Sequence, residues 1–83
     1  MILITVKGTY ELRFDPIGIF ISKKSDRLDT SYEPSKVVMD SIEAGEEFRG
    51  DTVIFHGTGS SLELWFEGKK VLWTSTVVDI DEE

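Results

Sequence analysis

The sequence predicts an α+β domain that is mainly β, with about six antiparallel strands and one short helix. Three observations support this prediction. Apolar and polar residues alternate over several short stretches, Gly-containing turns separate these stretches, and residues 34–45 carry helix start and stop signals. The expected order is β-β-β-α-β-β-β, arranged as two meanders or a small barrel. The 83 residues provide for one hydrophobic core, so we expect a single compact domain over 1–83.

The clearest predicted element is a β-hairpin within residues 61–80, where apolar residues alternate with carboxylates and Trp65. A type II′ turn at Gly68 and Lys69 would place Trp65 opposite Leu72. This register predicts a core face made of Leu62, Leu64, Phe66, Val71 and Trp73. The opposite face would carry Trp65, which is core if the helix covers it and a contact residue if the helix does not.

Alternation at the start of the chain predicts two strands joined by a short loop. A three-residue loop over 6–8 would set Ile4 opposite Tyr10, whereas a two-residue turn at Lys7 and Gly8 would set Ile4 opposite Glu11. The three-residue loop keeps the apolar residues together and is preferred.

A type I turn is predicted at residues 15–18, where Asp, Pro and Gly occupy favoured turn positions. The returning strand would set Phe20 opposite Phe14 and leave Ile19 and Ile21 on the far face.

Pro34 and Gly45 bound the predicted helix near residues 34–45, although the β-branched pair before Met39 also allows a strand. A loop is expected over residues 46–50, followed by a strand over 52–56. The break in alternation at residues 77–78 predicts a bulge or a strand buried on both faces.

The net charge of −7 lies entirely in the second half of the chain. Residues 1–42 carry six basic and six acidic side chains, whereas residues 43–83 carry three basic and ten acidic ones. Such a surface repels nucleic-acid phosphates and attracts a basic protein surface, so direct nucleic-acid binding is not favoured. The expected partner-binding residues, which include a short acidic C-terminal tail over 79–83, are Glu43, Glu46, Glu47, Asp51, Glu63, Trp65, Glu67, Asp79, Asp81 and Glu82.

The residue types present favour neither catalysis nor metal binding, and no cofactor is predicted. The chain has no cysteine, and His56 is its one histidine. The Gly-rich stretch 57–61 lacks the Lys of a phosphate-binding loop and precedes a strand. Glu63 and Glu67 would lie roughly 13 Å apart on one strand, too far for a glycosidase pair.

A basic n-region and a long apolar segment are both missing from the sequence, which predicts a cytoplasmic protein with no membrane partner.

The favoured functional hypothesis is a small acidic module that binds a basic protein surface. In size and charge the chain resembles small phage-encoded inhibitors of host defence systems that mimic DNA. The resemblance implies that it would occlude a nucleic-acid-binding surface. An alternative is a subunit of a homo-oligomer, such as a homodimer, with Ile19, Ile21 and Trp65 at the interface.

A third hypothesis comes from the order of the elements. It resembles that of oligonucleotide- or oligosaccharide-binding barrels, with one strand added. This resemblance implies that single-stranded nucleic acid or a glycan would bind through Tyr10, Phe20 and Trp65.

Overall fold

Eight antiparallel strands in two sheets form the fold in a computed structural model that describes residues 1–27 and 39–82. Sheet A has the strand order β4-β3-β2-β1-β8, and sheet B has the order β5-β6-β7. The strands are β1 (Ile2–Thr5), β2 (Gly8–Asp15), β3 (Gly18–Asp26), β4 (Glu47–Gly50), β5 (Thr52–Ile54), β6 (Glu63–Phe66), β7 (Lys69–Trp73) and β8 (Val77–Asp81).

The prediction of about six strands was too low because two extended segments bend and contribute to both sheets. Asp51 alone separates β4 from β5, and residues 74–76 separate β7 from β8. Backbone bonds continue through both corners: the Asp51 N–H donates to the Trp65 carbonyl at 2.8 Å, and the Val77 N–H donates to the Ser60 carbonyl at 2.9 Å. The two sheets are therefore joined at both corners.

The structure describes residues 39–45 of the predicted helix, and they form bends and a turn instead of a helix. Two of these residues bond to the end of β7 and to the corner that follows it. The Ser41 N–H donates to the Trp73 carbonyl, and Asp40 Oδ1 accepts from the Ser75 N–H. The rest of the predicted helix, residues 34–38, lies outside the described residues.

The loop predicted over residues 46–50 was also wrong, because β4 occupies most of it. Phe48 pairs with Ile21 of β3 and packs half-buried against the core. A four-residue strand with one inward apolar residue has too little alternation to be recognised in the sequence. The strand predicted over 52–56 is present but ends at Ile54.

Val6 and Lys7 form a two-residue turn between β1 and β2, one residue earlier than the predicted two-residue alternative. Leu3 pairs with Tyr10 and Ile4 with Thr9, so both predicted registers were wrong. The Thr5 hydroxyl stabilises the tight turn, since it donates to the Gly8 carbonyl at 2.8 Å and accepts from the Gly8 N–H at 2.9 Å. This register buries Leu3 completely and leaves its apolar neighbours half-buried on the outer face.

The β2–β3 turn lies where it was predicted, with Asp15 paired to Gly18. A two-residue turn at this position places Phe14 opposite Ile19, so the predicted pairing of Phe14 with Phe20 was wrong. Ile21 is completely buried. The predicted oligomer interface therefore cannot include Ile21.

The β6–β7 hairpin turns one residue earlier than predicted. Glu67 and Gly68 both have positive φ, 50° and 81°, as a type I′ turn requires, so the predicted type II′ turn was wrong. Leu64 pairs with Leu72 and Trp65 pairs with Lys70, so Val71 has no partner in β6 and forms a β-bulge in β7.

The earlier turn and the bulge together move Trp73 out of the predicted core face. Trp73 lies at the surface instead and is 40% exposed. The side chains that fill the core are Leu3, Tyr10, Leu12, Ile21, Ile42, Leu62, Leu64, Leu72 and Val77. Of the two alternatives predicted at residues 77–78, the structure has the bulge, because Thr5 pairs with Val77 and Ile4 pairs with Asp79.

Candidate functional site

The two tryptophans of the chain lie together on the outer face of sheet B. We use the name tryptophan face for four residues: Glu63, Trp65, Lys70 and Trp73. Glu63 pairs with Trp73 across the β6–β7 ladder, and Trp65 pairs with Lys70. The bulge between these two pairs brings Trp73 to the same side of the sheet as Trp65.

One carboxylate holds the tryptophan face together. Glu63 Oε1 accepts a hydrogen bond from Trp65 Nε1 at 3.0 Å, and Glu63 Oε2 lies 3.1 Å from Lys70 Nζ. The Lys70 ammonium also lies 5.9 Å from the ring centroid of Trp65 and 5.6 Å from that of Trp73. A cation is therefore held beside two indoles and one carboxylate, in an arrangement that combines cation–π attraction with an ion pair.

Hydrogen bonds keep the Glu63 carboxylate ionised. The bond from Trp65, followed by the bond from Lys70, lowers the pKa of Glu63 below its usual value, because both bonds stabilise the charged form. The site therefore presents a fixed negative charge at neutral pH.

A pocket of about 260 Å³ opens on the tryptophan face, lined by Ser61, Glu63, Lys70 and Trp73. Its Trp73 wall is anchored from outside the sheet. The Ser41 hydroxyl accepts from the Trp73 N–H at 2.9 Å, and the Ser41 N–H donates to the Trp73 carbonyl at 3.1 Å. An indole, a carboxylate, a hydroxyl and an ammonium are thus available to a ligand in one concave site.

Two further predicted residues meet at the corner between the sheets. Asp51 Oδ2 accepts from the Glu67 N–H at 3.0 Å at the tip of the β6–β7 hairpin. This bond, with a second from the Thr52 hydroxyl, lowers the pKa of Asp51. Both side chains are exposed, so they add negative charge at the end of the hairpin that carries the tryptophan face.

Two predicted residues lie before β4, where Glu46 Oε1 accepts from the Glu43 N–H at 2.7 Å. Three others belong to the strands of sheet A. Glu47 lies in β4, 3.5 Å from the Arg13 guanidinium, while Asp79 and Asp81 lie in β8.

The structure therefore places residues 79–81 in an ordered strand, and Glu82 follows it in an exposed position. The predicted acidic residues are divided between sheet A, sheet B and the segments beside β4.

Sequence reasoning missed Lys70 and Trp73 as members of the site. A type I′ turn at Glu67 and Gly68 was also compatible with the sequence, because Gly occupies its second central position, and it would have paired Trp65 with Lys70. The bulge that exposes Trp73 leaves no comparable signal in the sequence.

The residues proposed for oligonucleotide or glycan binding are dispersed. Tyr10 is completely buried in the core, Phe20 lies under the Arg13 guanidinium on sheet A, and Trp65 lies on sheet B. They do not form the shared stacking surface that this hypothesis needs.

His56 follows β5 and is exposed. Within residues 1–27 and 39–82, no group of three or more carboxylate or histidine side chains is arranged to hold a metal ion. The same described ranges contain no helix with the length and hydrophobicity needed to cross a membrane.

Comparison of the chain with protein-family models gave no match, and comparisons with curated proteins and with solved structures gave no significant match.

Proposed function

We propose that this domain is a protein-binding module that docks on a basic surface of its partner through the tryptophan face. One observation carries the proposal: the ionised Glu63 carboxylate is held beside two accessible indoles, and this site already accommodates an ammonium group. A site that holds an internal cation has the chemistry to hold a cation from a partner.

The two tryptophans supply contact area for such a complex. Trp73 is 40% exposed and Trp65 is half-buried. Tryptophan is among the residues that contribute most to binding at protein interfaces, because it buries a large apolar surface and loses little conformational entropy.

The net charge of −7 supports the same partner chemistry. Asp51 and Glu67 place two exposed carboxylates at the hairpin tip, next to the tryptophan face. These charges would accelerate association with a basic partner and would oppose binding to nucleic acid.

A finer proposal concerns the identity of the partner. A basic surface is typical of nucleic-acid-binding proteins, so the domain would act as a phage-type inhibitor that occludes such a surface. This proposal rests on the charge alone. It predicts that an oligonucleotide competes with the domain for the isolated partner, and simultaneous binding of both would refute it.

Paired charge reversals test the main proposal. The partner is isolated from a host lysate at low salt, and its affinity is then measured with purified proteins. Glu63→Lys combined with Glu67→Lys should weaken binding at least tenfold, because the reversals replace attraction by repulsion at the docking face.

The matched control reverses two exposed charges associated with sheet A, Asp79→Lys and Glu82→Lys. The control changes the net charge equally, so it should lose only the smaller long-range contribution. Equal losses in the two variants, or an affinity that does not change with salt, would refute docking through the tryptophan face.

A further inference from the structure

An exposed ion pair to Glu63 and two long cation–π contacts hold the Lys70 side chain in the tryptophan face. Its ammonium lies 5.6 and 5.9 Å from the two indole centroids, near the outer limit of about 6 Å for a cation–π contact. The side chain is 39% exposed, and the strand pairing of β7 depends on its backbone alone. Lys70 can therefore move into solvent without any change in the hairpin.

A guanidinium fits the same surroundings better than an ammonium does. It is planar, less strongly hydrated than an ammonium, and able to stack on an indole while it donates in plane to a carboxylate. Glu63 is positioned for this role, since Trp65 Nε1 fixes its Oε1 atom and leaves Oε2 directed to the cation. The pocket of about 260 Å³ beside Trp73 provides room for such a side chain.

We infer that the tryptophan face binds an arginine side chain of the partner, which displaces Lys70 from Glu63 and the two indoles. The inference rests on the proposed function and names the group that the site recognises. Lys70 then acts as an internal competitor that lowers the affinity of the free protein for its partner.

The position of Lys69 provides a matched control for this competition. Lys69 neighbours Lys70 in the sequence, is exposed and pairs with Phe66 at the turn. Lys69→Met and Lys70→Met change the net charge equally, but only Lys70→Met removes a cation from the tryptophan face. The difference between the two variants isolates the effect of the competitor from that of the overall charge.

The probe is a blocked peptide of alternating glycine and arginine, and the same peptide with lysine serves for comparison. The two indole N–H signals in nitrogen-15 NMR spectra report binding, because both tryptophans of the chain belong to the site. Backbone amide signals in the same spectra show that each variant is folded.

The expected result is that the arginine peptide shifts both indole signals and binds more tightly than the lysine peptide. Lys70→Met should bind the arginine peptide about two- to fivefold more tightly than Lys69→Met, as expected when an exposed ion pair no longer competes.

Equal affinities of Lys70→Met and Lys69→Met would overturn the inference and leave the basic-partner proposal standing. Backbone shifts that map the peptide to sheet A would overturn the inference and relocate the docking surface. If neither peptide binds any variant at low salt, the proposed function itself fails. Indole shifts with a neutral oligosaccharide and none with either peptide would replace both proposals with glycan recognition.

Discussion

The ammonium of Lys23 lies 2.7 Å from Oδ2 of Asp40, and both side chains are only 5% exposed. The same ammonium lies 2.8 Å from the exposed carboxylate of Asp26. Asp40 Oδ1 accepts from the Ser75 N–H at 2.6 Å, and the Tyr10 hydroxyl is buried beside Asp40. This ion pair connects β3, the segment before β4 and the corner between β7 and β8.

We predict that Asp40→Asn destabilises the domain strongly, by about 3 kcal/mol, because it leaves the buried Lys23 charge with only a peripheral partner. Urea denaturation followed by circular dichroism measures the change. Asp26→Asn is the matched control, since it removes the exposed partner of the same lysine and should cost less than about 1 kcal/mol. Similar losses in both variants would show that burial does not distinguish the two contacts.

The pKa of Asp40 gives this ion pair a defined pH dependence. Burial opposes the charged form, but the ion pair with Lys23 and the hydrogen bond from the Ser75 N–H outweigh burial and lower the pKa of Asp40. Because the folded-state pKa lies below the unfolded value, the stabilisation is present above about pH 4 and is lost as the pH falls through the folded-state pKa.

Urea midpoints should therefore change little between about pH 7 and 5 and fall below about pH 4. The fall should be smaller in Asp40→Asn. An unchanged acid slope in that variant would assign the pH dependence to other carboxylates, such as Asp51 and Glu63.

Gly50→Ala should destabilise the corner between β4 and β5. An added Cβ would lie 2.5 Å from Leu64 Cδ1 and 2.6 Å from the Trp65 carbonyl oxygen, closer than packed atoms approach. We expect a loss of about 2–3 kcal/mol from this overpacking.

The double variant Gly50→Ala with Leu64→Ala separates the two contacts. Truncation of Leu64 removes the side-chain clash. The loss of unfolding free energy in the double variant should therefore be smaller than the sum of the losses in the two single variants. Simple additivity would contradict a direct steric conflict between these positions.

Glu67→Asn should stabilise the β6–β7 hairpin by up to about 1 kcal/mol, because Asn adopts left-handed backbone conformations more readily than Glu. Glu67 has φ 50°. Glu67→Gln removes the same charge without this conformational advantage, so it provides the control. Thermal denaturation of both variants measures the effect, and equal melting temperatures would point to the charge instead of the backbone.

The indole N–H signal of Trp65 should titrate with Glu63. Its midpoint should lie below the usual glutamate pKa of 4.5, because the bonds from Trp65 and Lys70 favour the carboxylate. Glu63→Gln should abolish this titration. A midpoint at or above the usual value would mean that the hydrogen bonds do not persist in solution.

Short-range signals in the sequence predicted strand content better than they predicted pairing. The turn at Pro16 and the bulge at Val78 were located correctly, because proline and broken alternation act within a few residues. The β1–β2 register was predicted wrongly, since it depends on hydrogen bonds of the Thr5 side chain that the alternation of apolar and polar residues does not reveal.

Prediction of the candidate site residues depended on strand pairing too, in this case between β6 and β7. Glu63 and Trp65 were identified because they alternate with core leucines, whereas Lys70 required the type I′ turn and Trp73 required the position of a bulge. One extra residue in β7 moved Trp73 from the predicted core to the surface, and this change completed the cluster around Glu63.

The shared corners between the sheets have a consequence for how the chain reaches its native state. β8 pairs with β1 and closes one edge of sheet A, and Val77 of this strand also bonds to the loop that leads into β6 of sheet B. Sheet A lacks this edge strand, and the loop before β6 lacks its bonds to Val77, until residues 77–81 are in place. We therefore expect the two sheets to fold in one all-or-none step, with slow hydrogen exchange lost simultaneously from both sheets.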